Sequence, residues 1–352
     1  MPHEIIVNGK FLGAGLNGVH RTAAHYASAL LSRATPETPV RLLAPRAVPP
    51  DPDFPLLRPE VVPGRFGPGQ GWEMLTLPRA ARAALLVNFC NLAPLLHSRS
   101  VVMIHDAQTY LYPDDYTGRQ AMAYRALLPW IARRAVRVLT VSDFSRRSLA
   151  QHGVGRADDI HVVHNGTDHI LDTPPDGSVL ARHGLTPGGF VLTLGSAKGY
   201  KNIGTLLAAA PDLSLPLVVA GGPGPDAYAA RPPPGVTFTG FVTDGELRAL
   251  YDDAAAFAFP SLTEGFGLPP VEAMQCGTPV VAADAGAMPE VCGEGAVLVP
   301  PTDPAAWVAA LNRIAGDADH ARALTERGRT RAAILTWDAA GERLWQVIAP
   351  LL

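Results

Sequence analysis

Residues 260–276 read PSLTEGFGLPPVEAMQC and contain two glutamates, Glu264 and Glu272, eight positions apart. The preceding run AAAFAFP is short, apolar and aromatic, which predicts a buried strand, and the Pro-Pro pair suits the first turn of a following helix. We therefore expect Glu264 in the loop at the carboxyl end of the strand and Glu272 in the first turn of the helix. The glycines allow backbone N–H groups to approach a ligand closely. In an open α/β sheet this is the edge at which ligands bind.

Each glutamate alone has an ordinary explanation, because Glu272 could complement a helix dipole and Glu264 could be a solvated loop charge. The longer stretch EGFGLPPVEAMQCGTPVVAADAGAMPEV, however, resembles almost without interruption the E-x7-E signature of retaining family 4 glycosyltransferases. This resemblance implies that Glu264 contacts the hexose of a nucleotide-sugar donor and that Glu272 binds the ribose hydroxyls. It also implies backbone contacts to sugar and phosphate from Phe266, Gly267 and Leu268.

The length and composition indicate a two-domain protein. A chain of 352 residues exceeds the usual size of one core, and an apolar content of 47% allows two domains to bury cores. A formal net charge of -3 argues against a nucleic-acid-binding protein, which needs a basic excess. The three cysteines are too few and too scattered for a disulfide framework or a zinc site, which favours a reducing cytoplasm. No signal peptide or long apolar run is recognisable, so we expect no membrane span.

Apolar strand patterns alternate with helical patterns in both halves of the chain. The first half opens with EIIVNG, a glycine-rich loop and a helical segment, and the second half continues from FVLTLGS through LPLVVAGG, VTFTGF, AAAFAFPS, TPVVAAD and GAVLVP. Such alternation predicts parallel sheets with helices on both faces. Together with the family resemblance, it predicts the GT-B fold, an α/β architecture of two doubly wound Rossmann-like domains facing a central cleft.

The same patterns predict the boundaries of the domains. Residues 1–171 are expected to form an acceptor-binding domain, which the C-terminal helix, 337–352, rejoins. The polar, proline-rich segment 172–188 is the predicted linker. Residues 189–336 are expected to form the domain that binds the nucleotide sugar.

The segment LGSAKGYKNI carries a candidate for stabilising the leaving group. Transfer from a nucleotide sugar releases a diphosphate, so a positive group must oppose the developing charge. Lys201 lies between a predicted strand and a predicted helix, which suits a charge directed at phosphate, although an isolated loop lysine is usually only solvated. Family members carry a basic pair here, and Lys201 matches its second member. Ser196, which the resemblance also assigns to the donor site, stands where many members have an arginine, and Lys198 could replace part of that charge.

The loop 13–18, Gly-Ala-Gly-Leu-Asn-Gly, follows the first predicted strand and precedes a helix. It lacks the full G-x-G-x-x-G spacing of a dinucleotide fold, so a phosphate cradle and a tight strand-to-helix turn are both open interpretations. The resemblance implies that Asn17 and Gly18 face the donor diphosphate.

Three further candidates lie at the ends of predicted strands. His105 and Asp106 end the strand in VVMIHD, where a lone histidine is ordinarily structural. The resemblance places His105 near the donor sugar and the acceptor, so it joins Glu264 and Lys201 as a catalytic candidate, and with Asp106 it is a candidate for acceptor binding. Phe241 follows the strand TFTG, and the resemblance places it beside the nucleobase, whereas plain core packing is the alternative.

As a whole, the resemblance implies a retaining hexosyltransferase of polysaccharide or glycoconjugate synthesis. Strings such as WEMLTLP, IHDAQTYLYP and VSDFSRRSL look most like bacterial polysaccharide mannosyltransferases, so GDP-mannose is the preferred donor and a saccharide or lipid-linked saccharide the expected acceptor. A UDP- or dTDP-sugar donor, a non-catalytic nucleotide-sugar-binding protein and a glycoside hydrolase that uses Glu264 and Glu272 are the alternatives. The acidic pairs lack the strand-end setting of metal-dependent sugar transferases, so we expect no metal and no other cofactor.

One region of the chain is strongly basic. Between residues 118 and 150 a single acidic residue accompanies seven arginines: Arg119, Arg125, Arg133, Arg134, Arg137, Arg146 and Arg147. Apolar residues are interleaved with them at Leu127, Leu128, Trp130 and Ile131. This composition suits an anionic membrane surface, and a solvated helix face is the alternative. The membrane interpretation predicts a cytoplasmic protein located peripherally at the inner face of the membrane.

Overall fold

The computed structural model describes residues 4–13, 18–65, 67–228 and 233–352. The chain forms two compact units. The first unit combines residues 1–165 with 337–352, and the second unit comprises residues 166–336.

Each unit contains one parallel β-sheet, of seven strands in the first unit and six in the second, counted over the described residues. The strands of the first unit are β1 (Ile5–Asn8), β2 (Val40–Ala44), β3 (Glu60–Val61), β4 (Leu85–Asn88), β5 (Ser100–Met103), β6 (Arg137–Thr140) and β7 (Ile160–Val162). Those of the second are β8 (Val191–Leu194), β9 (Leu217–Ala220), β10 (Val236–Gly240), β11 (Ala256–Phe259), β12 (Val280–Ala283) and β13 (Ala296–Val299). The strand order is β3-β2-β1-β4-β5-β6-β7 in the first sheet and β10-β9-β8-β11-β12-β13 in the second.

Helices connect the strands in both units. In chain order they are α1 (Gly18–Leu31), α2 (Leu77–Ala81), α3 (Gln108–Leu111), α4 (Gly118–Arg134), α5 (Asp143–Gln151), α6 (His169–Asp172), α7 (Ser178–His183), α8 (Ile203–Ala209), α9 (Asp244–Asp253), α10 (Leu268–Cys276), α11 (Met288–Cys292), α12 (Pro304–Gly316), α13 (Ala318–Ala332) and α14 (Trp337–Ile348). None of the helices in the described part of the chain is both long and apolar enough to span a bilayer.

The central strands are mostly apolar and are buried. Every residue of β1, β9 and β12 is buried. A parallel sheet covered by helices on both faces selects continuous apolar runs rather than alternating ones, which is why the sequence pattern identified these strands.

Each sheet has a point at which the strand order reverses. In the first sheet it lies between β1 and β4, and in the second between β8 and β11. Connections leave two such strands in opposite directions, which opens a crevice at their carboxyl ends. The fold therefore provides one candidate ligand site in each unit.

The last helix, α14, completes the first unit by packing on α1. Trp337 stacks on His25 with ring centroids 4.1 Å apart, and Leu344 is fully buried. Gly341 permits this close approach, because a Cβ atom there would lie 2.8 Å from the Cβ of Ala29. The C-terminal helix is thus structurally part of the unit that the N-terminal residues form.

The segment predicted as a linker, 172–188, differs from that expectation because it is folded into the second unit. It contains α7, whose Val179 is fully buried, and the backbone N–H of Asp176 donates to the carbonyl of Gly245 at 2.8 Å. The division between the units falls after Asn165, earlier than the predicted boundary at 171. The polar composition of the segment concealed the short apolar face of α7.

Candidate functional site

The switch point of the second sheet carries an ion pair between two predicted site residues. Lys201 lies in the connection after β8, and Glu264 lies in the connection after β11. The Nζ atom of Lys201 is 2.5 Å from Oε1 of Glu264, and their side chains are 25% and 11% exposed. The ammonium group also lies 5.5 Å from the ring centroids of Tyr200 and Phe259. A lysine has three N–H donors, so the bond to Glu264 leaves two others for ligand oxygens.

Asn202 joins the two connections that carry this ion pair. Its amide nitrogen donates to the carbonyls of Pro260 at 3.0 Å and Pro301 at 2.7 Å. Its backbone is left-handed, with φ at 55°, a conformation that asparagine tolerates better than most residues. The backbone N–H of Leu262 donates to the carbonyl of Tyr200 at 2.7 Å. These bonds fix the separation of Lys201 and Glu264.

Two glycines shape the connection that bears Glu264. Gly286 has φ at 60°, and a Cβ atom there would lie 2.7 Å from the backbone nitrogen of Glu264. Gly267, which precedes α10, has φ at 85°, and a Cβ atom would lie 2.2 Å from the Cε of Met288. Only glycine fits both the dihedral angle and the space at these positions. The close packing at Gly286 therefore helps to fix the backbone of the connection that bears Glu264.

Glu272 is not in the first turn of its helix, so that prediction is wrong. Helix α10 begins at Leu268, which makes Glu272 its fifth residue. The carboxylate is buried, accepts a hydrogen bond from the Tyr251 hydroxyl at 3.3 Å, and lies 3.5 Å from Nε2 of His169. A charge that only complemented the helix dipole would be solvated in the first turn. The ordinary explanation of this glutamate therefore does not hold.

Sequence reasoning missed three residues that organise this site. Tyr251 gave no signal, because a tyrosine on an amphipathic helix normally belongs to the core. His169 follows the polar string HNGTD near a strand end, which is a weak signal for a site residue. Asn202 follows Lys201 at the start of a helix, where asparagine often takes a left-handed conformation.

Ser196 and Lys198 lie on the same connection as Lys201. The Oγ of Ser196 accepts a hydrogen bond from the backbone N–H of Lys198 at 3.3 Å. The Nζ of Lys198 lies 3.4 Å from the Tyr200 hydroxyl and 5.4 Å from its ring centroid. Because Lys201 contacts the same ring, both ammonium groups lie around Tyr200. A second positive charge is therefore close to the position of Ser196.

The remaining predicted donor residues of the second unit differ in exposure. Phe266 is buried, and Leu268 is half-buried at the first position of α10. Phe241, which follows β10, is 84% exposed, so the core-packing interpretation of this residue is wrong. An exposed aromatic ring at the carboxyl end of a strand is available to stack on a flat ligand.

His105 is buried at the carboxyl end of β5 in the first unit. Its Nε2 lies 2.7 Å from the carbonyl oxygen of Phe89, and its backbone N–H donates to Oδ1 of Asn91 at 2.8 Å. Burial, with a smaller contribution from the nearby His20, lowers the pKa of His105 to about 4. A carbonyl oxygen only accepts hydrogen bonds, so Nε2 carries the proton of a neutral imidazole. His105 therefore helps to position the backbone of Phe89.

The other predicted residues of the first unit occupy local turns. Oδ1 of Asp106 accepts from the backbone N–H of Gln108 at 3.0 Å, at the start of α3. Gly18 is the first residue of α1, and a Cβ atom added there would meet nothing within 4 Å. Asn17 lies outside the described residues.

The thiols are neutral groups. Cys90, Cys276 and Cys292 are free, and burial raises the pKa of each to about 12. Among the described residues, no three His, Cys, Asp or Glu side chains are grouped so as to hold a metal ion.

The sequence matches two family profiles, one over each half of the chain. The profile described as Glycosyltransferase Family 4 matches residues 16–170. The profile described as Glycosyl transferases group 1 matches residues 183–331.

Curated relatives include several mannosyltransferases. O-antigen chain mannosyltransferase B of Escherichia coli is 30% identical over 256 residues, which cover 68% of this chain and 67% of that protein. O-antigen chain mannosyltransferase RfbU of Salmonella typhimurium is 30% identical over 63% of this chain and 62% of that protein. The MMP alpha-(1->4)-mannosyltransferase of Mycolicibacterium hassiacum is 34% identical over 59% of this chain and 53% of that protein. The matches thus span between about half and two thirds of these relatives.

Solved structures resemble the protein over nearly its whole length. Sucrose-phosphate synthase from Thermosynechococcus elongatus has a TM-score of 0.75 at 22% identity, covering 99% of both chains. Anabaena Alr3699/HepE in complex with UDP-glucose has a TM-score of 0.75 at 19% identity, also covering 99% of both. WaaG, a glycosyltransferase involved in lipopolysaccharide biosynthesis, has a TM-score of 0.72 at 15% identity over 98% of this chain and 99% of WaaG. The fold is therefore GT-B, as predicted, and the chain belongs to glycosyltransferase family 4.

Proposed function

We propose that the protein is a retaining glycosyltransferase that moves a hexose from a nucleotide sugar to a saccharide or lipid-linked saccharide in polysaccharide or glycoconjugate synthesis. The observation that carries the proposal is the Lys201–Glu264 ion pair at the switch point of the second sheet. A carboxylate beside an ammonium group suits a ligand that has both hydroxyl and phosphate groups. Glu264 accepts a hexose hydroxyl, and Lys201 opposes the charge of the leaving diphosphate. Glu272, held by Tyr251 and His169, accepts the ribose hydroxyls.

In the proposed reaction, the bond between the anomeric carbon and the diphosphate oxygen breaks while an acceptor hydroxyl attacks the same face of the sugar. The departing diphosphate oxygen takes the proton of that hydroxyl, so the scheme needs no side-chain base. The neutral His105 is then a positioning residue. Lys201 and backbone dipoles supply the positive charge, so we expect the reaction to proceed without a metal ion.

For the donor we propose GDP-mannose. Three relatives that are 30–34% identical are named as mannosyltransferases, which supports mannose as the hexose. A UDP-sugar is the alternative, because Anabaena Alr3699/HepE, which shares the fold, was solved in complex with UDP-glucose. Two further alternatives are a dTDP-sugar donor and a non-catalytic protein that only binds a nucleotide sugar. The experiment described next distinguishes them.

The test compares binding and hydrolysis of GDP-, UDP- and dTDP-sugars, with and without EDTA, for the wild type, Lys201→Met and Glu272→Gln. We expect one preferred donor and activity that EDTA does not change. Lys201→Met should lower kcat about a hundredfold or more, because it removes the charge that opposes the leaving group. Glu272→Gln should raise the donor Kd about tenfold, because a buried ionic hydrogen-bond acceptor becomes neutral.

Glu326→Gln is the matched control, since Glu326 is exposed on α13 of the same unit. It should behave as the wild type does. Proton NMR of the first product should show the anomeric configuration of the donor. Binding without turnover would favour the non-catalytic alternative, and the absence of binding to every nucleotide sugar would refute the transferase proposal.

We also propose that α4 holds the protein peripherally at an anionic membrane surface, on the cytoplasmic side. Arg119, Met122, Ala126, Trp130 and Arg133 are all exposed and recur at three- and four-residue spacing, so they share one face of the helix. Arginines around an exposed tryptophan suit an interface where anionic headgroups meet acyl chains. A lipid-linked acceptor would be presented at such a surface.

Two apolar residues of this region do not contribute to that face. Leu128 and Ile131, which the sequence interpretation counted among the interleaved apolar residues, are buried in the core of the first unit. The exposed apolar part of the helix is formed by Met122 and Trp130, at 68% and 57% exposure. The guanidinium of Arg133 lies 5.9 Å from the Trp130 ring centroid.

A further inference from the structure

A pocket lies at the switch point of the first sheet. Asn8 ends β1 and Phe89 follows β4, and both line a cavity of about 210 Å³. These are the two strands between which the strand order reverses, and ligands of open α/β sheets bind at the carboxyl ends of such strands. The cavity is smaller than the roughly 300–1,000 Å³ of drug-sized sites, so it suits a small ring.

An ion pair between the half-buried Lys10 and the buried Glu73 forms one wall of the pocket. The Nζ of Lys10 lies 2.7 Å from Oε2 of Glu73, whose side chain is only 5% exposed. With its amide oriented to satisfy both neighbours, Gln70 donates to the same carboxylate at 2.8 Å and accepts from Lys10 at 3.1 Å. The pair therefore presents a hydrogen-bond acceptor and a hydrogen-bond donor side by side.

Two asparagines hold the carboxylate in place from behind. The amide nitrogen of Asn8 donates to Oε1 of Glu73 at 2.7 Å and to Oδ1 of Asn88 at 3.0 Å. Asn88 in turn donates to Oγ of Ser100 at 3.0 Å and to the carbonyl of Val101 at 3.1 Å. A network anchored in three neighbouring strands fixes the orientation of Glu73 before any ligand arrives.

The backbone around Glu73 is unusual as well. Residues Trp72–Thr76 form a single π-helical turn, in which the backbone N–H of Leu77 donates to the carbonyl of Trp72. Such turns are rare and occur frequently at functional sites. Burial of an ion pair is also poor evidence of a purely stabilising role, because apolar residues of similar volume often serve stability equally well.

Aromatic rings supply the rest of the wall. Phe11, Phe89 and Tyr124 line the pocket, and Phe89 stacks on Tyr26 with ring centroids 5.5 Å apart. His105 accounts for the position of Phe89, because its Nε2 bonds to the carbonyl of that residue. Apolar ring faces beside a paired donor and acceptor match the C–H faces and hydroxyl groups of a pyranose.

From these observations we infer that the pocket binds one neutral sugar ring of the acceptor, with Glu73 accepting a hydrogen bond from one hydroxyl and Lys10 donating to an adjacent hydroxyl. This inference rests on the proposed transferase function. The charges of Glu73 and Lys10 offset each other, so a uronate carboxylate would lose its hydration in the pocket without gaining a net positive partner. The pocket therefore selects neutral sugars over uronates.

The experiment uses the full chain and methyl glycosides as probes. Saturation-transfer NMR and titration calorimetry with methyl α-D-mannopyranoside, methyl α-D-glucopyranoside and methyl α-D-glucuronide test the wild type, Glu73→Gln, Lys10→Met and Gln70→Ala. Binding of a neutral glycoside should weaken about tenfold or more in the first two variants, because a charged hydrogen-bond partner is lost. Donor hydrolysis without acceptor should stay within about twofold of the wild type, since none of these substitutions changes the Lys201–Glu264 ion pair or Glu272.

Glu60→Gln is the matched control, because Glu60 is exposed on the edge strand β3 of the same unit and pairs with Arg41 instead. If Glu73→Gln does not fold, Lys10→Met and the exposed Gln70→Ala decide the question. Equal glycoside binding by the wild type and these variants, or preferred binding of the glucuronide, would overturn the inference. A different result would separate the two proposals. If the wild type binds glycosides, the variants do not, and no nucleotide sugar is processed, the sugar-binding pocket is supported and the proposed transferase function is refuted.

Discussion

At the scale of single residues, His105 links burial to pH dependence. Its pKa is about 4 in the folded protein, against 6.5 for an unperturbed histidine, because burial disfavours the charged imidazolium. The unfolded chain therefore binds the proton more readily between these two values. The contribution of His105 to stability is fully present above pH 6.5 and is lost as the pH falls towards 4. Below pH 4 this contribution no longer changes with pH.

Between pH 7 and pH 5 we expect the free energy of unfolding to fall by about 2 kcal/mol more for the wild type than for His105→Gln. The reason is that a tenfold difference in proton affinity between the folded and unfolded chain corresponds to about 1.4 kcal/mol. Glutamine retains an N–H donor for the Phe89 carbonyl but does not titrate. Urea unfolding at both pH values gives the comparison, and carboxylates contribute equally to both proteins. Identical pH dependence in wild type and variant would show that His105 titrates normally in the folded state.

The site residues that could be predicted from the sequence are those whose residue type and spacing match a recognisable motif. Glu264 and Lys201 come together at 2.5 Å because strand ends that carry them are neighbours in a parallel sheet, which the alternating pattern implies. Tyr251 and His169 lie far from Glu272 in the chain and have no fixed spacing to it. Their contacts depend on how α6 and α9 pack against α10, and packing of this kind is not encoded in any local pattern.

At the scale of elements, strands were predictable and short helices were not. Residues Val40–Ala44 form strand β2, because a short apolar run between polar segments is most stable when it is buried in the sheet. Helix α7 was missed because its six residues lie among prolines and glycines and bury only Val179 and Leu180. Composition shows that the segment is polar, but it does not show which few apolar residues pack against the second unit, because those contacts form only in the tertiary structure.

The connection that bears Glu264 depends on a glycine in another connection. In Gly286→Ala, a Cβ atom would meet the backbone nitrogen of Glu264 at 2.7 Å, and alanine disfavours φ at 60°. We expect a loss of about 1–3 kcal/mol in the free energy of unfolding, because neither backbone can move cheaply. Donor hydrolysis should fall roughly tenfold or more, since Glu264 is displaced.

Gly204→Ala provides the control for that substitution. Gly204 lies in α8, has an ordinary φ, and a Cβ atom there would meet nothing within 4 Å. Alanine should stabilise the protein by about 0.5–1 kcal/mol by restricting the unfolded chain, and it should leave donor hydrolysis unchanged. Calorimetric melting and hydrolysis rates measure both effects. If Gly286→Ala were as stable and active as Gly204→Ala, Gly286 would not position Glu264.

At the scale of the whole molecule, the two sheets repeat one arrangement with different chemistry. The switch point of the second sheet carries Lys201 and Glu264, and that of the first carries Lys10 and Glu73. Lys201 and Glu264, 63 positions apart, each lie in a stretch that resembles a motif of the family. Lys10 and Glu73 are separated by the same number of residues, but Glu73 lies in a π-helical turn, and no local residue pattern predicted this pair.

The distribution of charge over the whole molecule makes membrane binding a local property. The formal net charge is -3, so a uniform attraction to anionic lipid is not expected, and the proposed membrane binding would have to come from the arginines of α4. Co-sedimentation with phosphatidylglycerol vesicles should weaken with added salt. Arg133→Ala/Arg134→Ala should weaken binding roughly thirtyfold, from about 1 kcal/mol per arginine.

Arg322→Ala/Arg327→Ala on α13 removes the same charge from the second unit and should bind as the wild type does. Equal binding by both double variants would refute a role for α4, because the effect would then follow net charge rather than position.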